Sequence, residues 1–424
     1  MITDQPLAYL CNAAALSIIV FSLSLLLLRV KSQPYYWPLA GCFLAIAILI
    51  AQPWLKLLAP SLQQLFLLLA LPALYLLPPC FWLYVQGLTS SQRWQFQRQH
   101  LPHFGLSGVA FFIVIAALCL PATIRDGLLV HGSEQVLTSA PPLLGNTVYG
   151  LLILTFLMVI GWCVQAGCYL FAVARRLHQY RAQLKQVFAS TERQELGWIV
   201  GLLVAVIGVW LLASVSLLID NLVKPLRLDP NLQSIVTLLL VWSLASWGLR
   251  QKPGFAELYQ SDDKEIVSLN VLPSVADSKY QRSALDSVQA SSIAEKLTKA
   301  MTADQLYLDA SLSLPKLAKH IAVSPSYISQ TLNEHIGMNF FDYVNHYRVA
   351  AAKIQLSSTD TTVLDIAMNV GFNAKSSFYT AFKKETQLTP SQYRQAQATT
   401  RELQLLVDKG HTPISAHQNK KTLV

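Results

Sequence analysis

The sequence predicts an all-α protein in two parts: a polytopic transmembrane helix bundle, then a soluble domain with two helix-turn-helix units. Three observations carry this reading. Charged residues make up 13% of the 424 and apolar residues 53%, against about 25% charged in an ordinary soluble chain. The apolar residues gather into long runs before residue 250, whereas residues 260–424 have an ordinary soluble composition. In that second part, apolar residues recur at helical spacing on either side of a short turn, and they do so twice.

Residues 1–250 are expected to be the transmembrane, sensor part. Roughly 20 apolar residues at about 1.5 Å each cross a hydrocarbon layer of about 30 Å. Runs of that kind lie near 7–28, 37–58, 62–86, 104–120, 143–173, 197–219 and 231–249. The first exceeds the ~7–15-residue core of a cleaved signal, and no basic residue precedes it, so it reads as a first span. Backbone amides in lipid must be paired within their own segment, which makes these runs helices. Alternate loops are basic. One set holds Arg29, Lys31, Arg93, Arg98, Arg175, Arg176, Arg181, Lys185, Arg193, Arg250 and Lys252; the other holds Lys56, Arg125, Lys224 and Arg227. The excess of positive charge predicts that the first set is cytoplasmic. Seven spans then place the N-terminus outside and the C-terminal domain in the cytoplasm of a cell bounded by an inner membrane.

The spans carry little ionisable chemistry. Gln52, Gln63, Gln64, Asn146, Gln165 and Asp220 are scattered, with no row of acids, arginines or histidines. That argues against a proton pump or an ion-coupled transporter; uncharged amides suit interhelical bonding instead. Pro72, Pro78 and Pro79 break the third run, as a structural kink or as the border of a ligand cavity. His100 and His103 lack further ligands nearby for a metal. The six cysteines show no CxxC spacing, so neither a metal nor another cofactor is signalled. Trp37, Trp82, Trp94 and Trp198 fall near expected helix ends, as interfacial anchors do.

Residues 251–278 are mixed in charge and aperiodic, and read as a linker reaching about 30 Å if flexible. Residues 291–300 predict a helix capped by Ser291 or Ser292, with Glu295 at capping-box distance. Next, Leu314, Leu317, Ala318 and Ile321 share a helical face, and Ala322, Val323 and Ser324 form a turn. Ser324 suits the N-cap and Pro325 the first helical position. The following helix turns Ile328 and Leu332 inward and stops at Gly337. The pattern returns at 363–390, with Leu364, Ile366 and Ala367, a turn at Gly371 and Phe372, and then Phe378 and Phe382. A helix over Asn339–Ser357, about 27 Å long, separates the two units. Two recognition helices on one strut of that length suit successive major-groove turns of duplex DNA, about 34 Å apart.

Residues 279–395 resemble the AraC/XylS-type DNA-binding domain. The matching residues include Tyr327-Ile328-Ser329-Gln330, Gly337, Asn339-Phe340, Tyr347-Arg348, Ala352, Ile366-Ala367, Gly371-Phe372, Ser377-Phe378, Phe382-Lys383-Lys384, Thr389-Pro390 and Tyr393-Arg394. With the apolar half, the chain resembles a membrane-embedded subgroup in which a multi-helix domain replaces the soluble sensor; Gly248-Leu249-Arg250-Gln251 fits that subgroup more weakly. One departure stands out: the family has glycine where this chain has Gln387. A left-handed backbone there would cost a side chain about 1 kcal/mol.

The outward face of the first recognition helix carries Ser326, Ser329, Gln330 and Asn333, whose amides and hydroxyls can read base edges. On the second, Lys375, Ser376, Tyr379 and Thr380 match the family's base-reading positions, and Lys383, Lys384 and Arg394 suit phosphates, which position without specifying. For any one of these residues a merely solvated helix face is the competing account. Residues 279–398 hold 12 basic and 9 acidic residues, which predicts a shallow salt dependence per monomer. The expected partners are double-stranded DNA, the lipid bilayer, a small-molecule or envelope signal and a second copy of the chain; the resemblance adds RNA polymerase. The expected function is a membrane-bound, sequence-specific transcription regulator and not an enzyme. The competing reading is a transporter or membrane enzyme with a C-terminal protein-interaction module. Residues 399–424 are expected to be a polar tail, helical at first.

Overall fold

The structure is a computed structural model that describes residues 5–129, 141–191, 196–208, 229–255 and 286–408. Among these the protein is all-α, with one isolated antiparallel bridge, Phe188 to Ser313, and no β-sheet. The chain divides into two compact units. The first comprises Met1–Tyr180 and Leu196–Gln260, the second Arg181–Glu195 and Ser261–Val424.

The first unit contains α1 (Pro6–Arg29), α2 (Tyr36–Ile50), α3 (Gln52–Leu58), α4 (Pro60–Leu88), a 3-10 turn (Arg98–Phe104), α5 (Gly105–Leu118) and α6 (Ala122–Leu129). It also contains most of α7 (Pro142–Val187), then α8 (Gly197–Gly208) and α9 (Pro230–Gly248). Here α2 packs against α4, α1 against α9 and α2, and α5 against α4. Four helices among the described residues are long and apolar enough to cross a membrane, or five if α2 and α3 count as one bent span. They expose large apolar side chains such as Val20, Phe21, Phe112, Leu157 and Phe171.

The expected run 37–58 is two helices meeting at 56°. Pro53 accounts for the break: it has no N–H to donate back to the ladder of α2. The run 104–120 starts with the Pro102-containing 3-10 turn and leaves its helix at Leu118. The run 197–219 is helical to Gly208, and its remainder, with Asp220, lies outside the described residues. Trp94 is not an exposed anchor. It is buried and stacked on His100 at 5.5 Å, and His100 Nδ1 accepts from the Gln97 amide at 3.1 Å. His103 pairs with the Tyr169 hydroxyl at 2.6 Å. The amide of Gln64 joins α4 to α6 through Asp126 and the Arg125 Nε, the latter at 2.9 Å.

The proline cluster lies inside α4. Pro78 cannot donate to the carbonyl of Leu74 four residues earlier. That carbonyl instead accepts from the indole Nε1 of Trp162 on α7 at 2.9 Å, and one residue later the Tyr75 hydroxyl donates to the Met158 carbonyl at 2.6 Å. The proline cluster therefore sits at a helix–helix joint. At the end of α9, where carbonyls lack intrahelical partners, Tyr84 donates to Gly248 O at 2.9 Å and Arg29 to Leu249 O at 2.9 Å. Beyond it, Gly254 N donates to Leu88 O at 3.2 Å, and Phe255 lies fully buried, edge-on to Tyr180.

The second unit contains α10 (Ser287–Thr302), a 3-10 turn (Leu306–Leu308), α11 (Leu314–Ile321), α12 (Pro325–Gln330) with a π turn (Thr331–Ile336), α13 (Phe340–Ser358), α14 (Val363–Asn369), α15 (Lys375–Thr386) and α16 (Pro390–Asp408). The last two turns of α7, from Arg181, also belong to it. The expected caps Ser291 and Ser292 are interior to α10, which starts a turn earlier after Asp286. Its buried face begins with Ala290 and continues through Ile293, Leu297 and Met301, so packing sets the start. Most of the expected linker and the tail beyond Asp408 lie outside the described residues.

Two predictions follow from these joints. Trp162→Phe should cost about 1–3 kcal/mol of stability by orphaning the Leu74 carbonyl, and Pro78→Ala should reduce that cost by restoring the ladder bond. A double-mutant cycle of thermal unfolding in detergent measures the coupling. Gln387 is left-handed at φ 61°, so Gln387→Gly should stabilise the second unit by about 1 kcal/mol, read as a raised thermal midpoint.

Candidate nucleic-acid interface

Two capped helical units sit on α13. In the first, Ser324 Oγ accepts from the Tyr327 amide, and α12 continues into the π turn that ends at left-handed Gly337. The widened turn brings Thr331 and Leu332 together to the buried side beside Ile328. In the second, Thr362 caps α14 through the Asp365 amide at 3.1 Å, and Gly371 makes the turn at φ 92°. Ile366, Ala367, Phe378 and Phe382 fill the core of this unit with Val349, Ala352 and Leu356 of α13. Leu297, Leu314, Leu317, Ile328 and Leu332 fill the other with Phe340 and Val344. One strut therefore supplies a wall to both cores.

A joint between the two units lies at Arg348 of α13, which is fully buried. Its Nε donates to Tyr307 O at 2.8 Å, Nη2 to Asp309 O at 2.9 Å and Nη1 to Ala189 O at 3.1 Å. Its carbon Cζ lies 5.5 Å from the ring centroid of Phe372. A Cβ on Gly371 would sit 2.5 Å from the Tyr307 carbonyl oxygen, so the second turn packs directly on backbone of the first unit. Asn373 adds a bond to Ala310 O at 3.1 Å. Burial pushes Asp309 up, but bonds from the Ser311 hydroxyl and amide and from Lys316 outweigh it and hold its carboxyl below the usual range. Burial, with the hydrogen bond to Tyr347, raises the Tyr343 hydroxyl.

Among the sequence-predicted residues, Ser326 and Asn333 are exposed, and Ser329 and Gln330 are half-buried on α12. Asn333 Nδ2 donates to Ser329 O at 2.8 Å, and Gln330 Nε2 to Glu334 at 2.8 Å. On α15, Lys375, Ser376, Thr380 and Lys383 are exposed, and the Lys375 ammonium lies 5.4 Å from the centre of the Tyr379 ring. Their spacing places them with Tyr379 along one stripe of the helix. Lys384 and Arg394 have protein partners as well. Lys384 bonds Asp342 at 2.8 Å, and Arg394 donates to Thr361 O at 2.6 Å, so each also ties two elements together. Sequence reasoning missed the roles of Arg348 and of residues 186–190. A lone arginine on the apolar face Val344–Arg348–Ala352 was a signal for the first; the second had none.

Replacing Arg348 with Met should strip the Tyr307 and Ala189 carbonyls of this donor, while Asp309 O keeps the Leu312 amide, and should cost the second unit about 2–4 kcal/mol. Arg348→Lys should not restore it, because an ammonium cannot fork to all three. Denaturant unfolding of both variants measures this.

Residues 317–396 match a family model described as a helix-turn-helix domain. Over 90 residues the chain is 38% identical to an uncharacterised HTH-type transcriptional regulator of Staphylococcus aureus, covering 21% of this chain and 12% of that protein. Over 100 residues it is 34% identical to the regulatory protein PocR of Salmonella typhimurium, covering 24% of this chain and 33% of PocR. The C-terminal domain of the response regulator yesN of Fusobacterium nucleatum is 33% identical; the match covers 24% of this chain and 98% of that domain, with a TM-score of 0.22. The chain thus spans a third or less of the full-length relatives named here, and the family model falls on α11 to the start of α16. With the family match, the curated relatives and this geometry together, the carboxy-terminal unit carries an AraC-type helix-turn-helix domain.

Proposed function

We propose that this chain is a membrane-bound, sequence-specific DNA-binding transcription regulator. The observation that carries it is one chain holding two unlike surfaces. Helices long enough to cross a bilayer expose apolar side chains, and a helix-turn-helix domain exposes hydroxyl, amide and lysine side chains. The relatives' names, which describe regulators, support the second half. Seven crossings follow if α2 and α3 form one span and α8 and α9 are the sixth and seventh. The basic loops then favour an outside N-terminus and a cytoplasmic C-terminal domain at the inner membrane.

In this reading, Ser326, Ser329, Gln330 and Asn333 enter one major groove and Lys375, Ser376, Tyr379 and Thr380 the next. Lys383, Lys384 and Arg394 lie toward phosphates, Lys384 after exchanging Asp342 for a phosphate oxygen. The apolar unit receives a small-molecule or envelope signal. Pairing of two chains in the membrane would add avidity, and RNA polymerase is the partner at the promoter.

The test uses full-length protein in nanodiscs, against duplexes selected from a randomised library. A consensus should emerge. Gln330→Ala and Lys375→Ala should each cost about 1–3 kcal/mol on that consensus and relax it at particular positions. Lys383→Ala should weaken all duplexes alike and flatten the salt dependence. Protease added to inside-out vesicles should cut the C-terminal domain, and protease added to intact spheroplasts should not. Selection that yields no consensus, or cleavage from outside, would reject the reading.

A further inference from the structure

Residues 186–190 are a built-in part of the DNA-binding unit, although they come from the end of α7, far upstream of the matched 317–396. Ala189 N donates to Leu312 O at 3.1 Å, and Phe188 pairs with Ser313 in an antiparallel bridge. Phe188 and Ala189 are buried at 3% and 1% exposure. Arg348 Nη1 donates to Ala189 O at 3.1 Å and to Ser190 Oγ at 3.2 Å. The Lys185 ammonium stands 5.6 Å from the centre of the Phe341 ring. This strap therefore docks on the residues that lead into α11 and on the arginine that joins the two helix-turn-helix units.

The strap also reaches the recognition surface. Gln186 Oε1 accepts from Asn333 Nδ2 at 3.2 Å, and the same amide nitrogen serves Ser329 O at 2.8 Å. An asparagine that reads adenine must present both its oxygen and its nitrogen to the base edge. Asn333 cannot do so while its donors are spent on Gln186 and Ser329.

We infer that residues 186–190 are an autoinhibitory strap that competes with DNA for Asn333 and the first recognition helix. The strap continues in sequence from a helix apolar enough to cross a membrane, so a signal acting on α7 has a covalent route to the strap. The inference rests on the proposed DNA-binding function. The attachment is suited to exchange: a short backbone pairing, two buried side chains and a few hydrogen bonds, with no covalent closure. By linkage, DNA must weaken strap docking by the same factor that docking weakens DNA binding.

The test is a reversible pin. Phe188→Cys with Ser313→Cys places thiols on the bridged pair, in full-length protein whose exposed Cys119 and Cys168 are replaced by alanine. Oxidation should form the crosslink, and a saturating selected duplex should slow it. The oxidised protein should bind that duplex about threefold to tenfold more weakly than the same sample after reduction. Gln186→Ala, without any added cysteine, should tighten binding by a comparable factor and guards against misfolding of the double variant. Equal affinity of the oxidised and reduced forms, or Gln186→Ala that leaves or weakens binding, overturns the strap while leaving the DNA-binding reading intact. Duplex selection without a consensus overturns that reading, and the strap with it.

Discussion

The geometry of the DNA-binding unit depends on one buried guanidinium. A charge withdrawn from water is tolerated only where its donors are satisfied, and Arg348 meets backbone carbonyls at Tyr307, Asp309 and Ala189. Those carbonyls belong to short segments, a single 3-10 turn and one isolated bridge, with little backbone pairing of their own. They are held because the arginine fork has fixed directions. The 3-10 turn at 306–308 then becomes a firm seat for Gly371, whose missing side chain lets the second turn press against it.

The left-handed positions show the same economy of local geometry. Gly337 closes the first recognition segment at φ 79° without penalty, whereas Gln387 closes the second at φ 61° with a side chain attached. The side chain is not idle, since its amide nitrogen donates to Lys384 O at 3.2 Å. That bond offsets part of the strain and satisfies one of the last carbonyls of α15.

Much of this was legible in the sequence, for identifiable reasons. Ser324-Pro325, Gly337, Asn339 and Gly371 punctuate the domain because capping and turn chemistry are local, and local chemistry is what a linear reading sees. The start of α10 was misplaced because Ala290 extends its buried face past two serines that look like caps. The break at Pro53 went unread within a run that is otherwise long and mostly apolar. Arg348 and residues 186–190 were opaque for a different reason: their partners lie 39 to 159 residues away, and no periodicity encodes such a meeting. The exposed polar residues of α15 were legible as a stripe, but the second attachments of Lys384 and Arg394 were visible only in three dimensions.

The bond from Trp162 to Leu74 bears on how the apolar unit can move. A helix held to its neighbour only by smooth apolar surfaces can slide along its axis like a piston. Here an indole is seated on a carbonyl that proline has stripped of its own partner, and Tyr75 answers one residue along with a bond in the other direction. Sliding α7 by one turn, about 5.4 Å, would break both at once. Tilting about that point breaks neither, so the pair acts as a fulcrum, and displacement grows with distance from it toward either end of the helix.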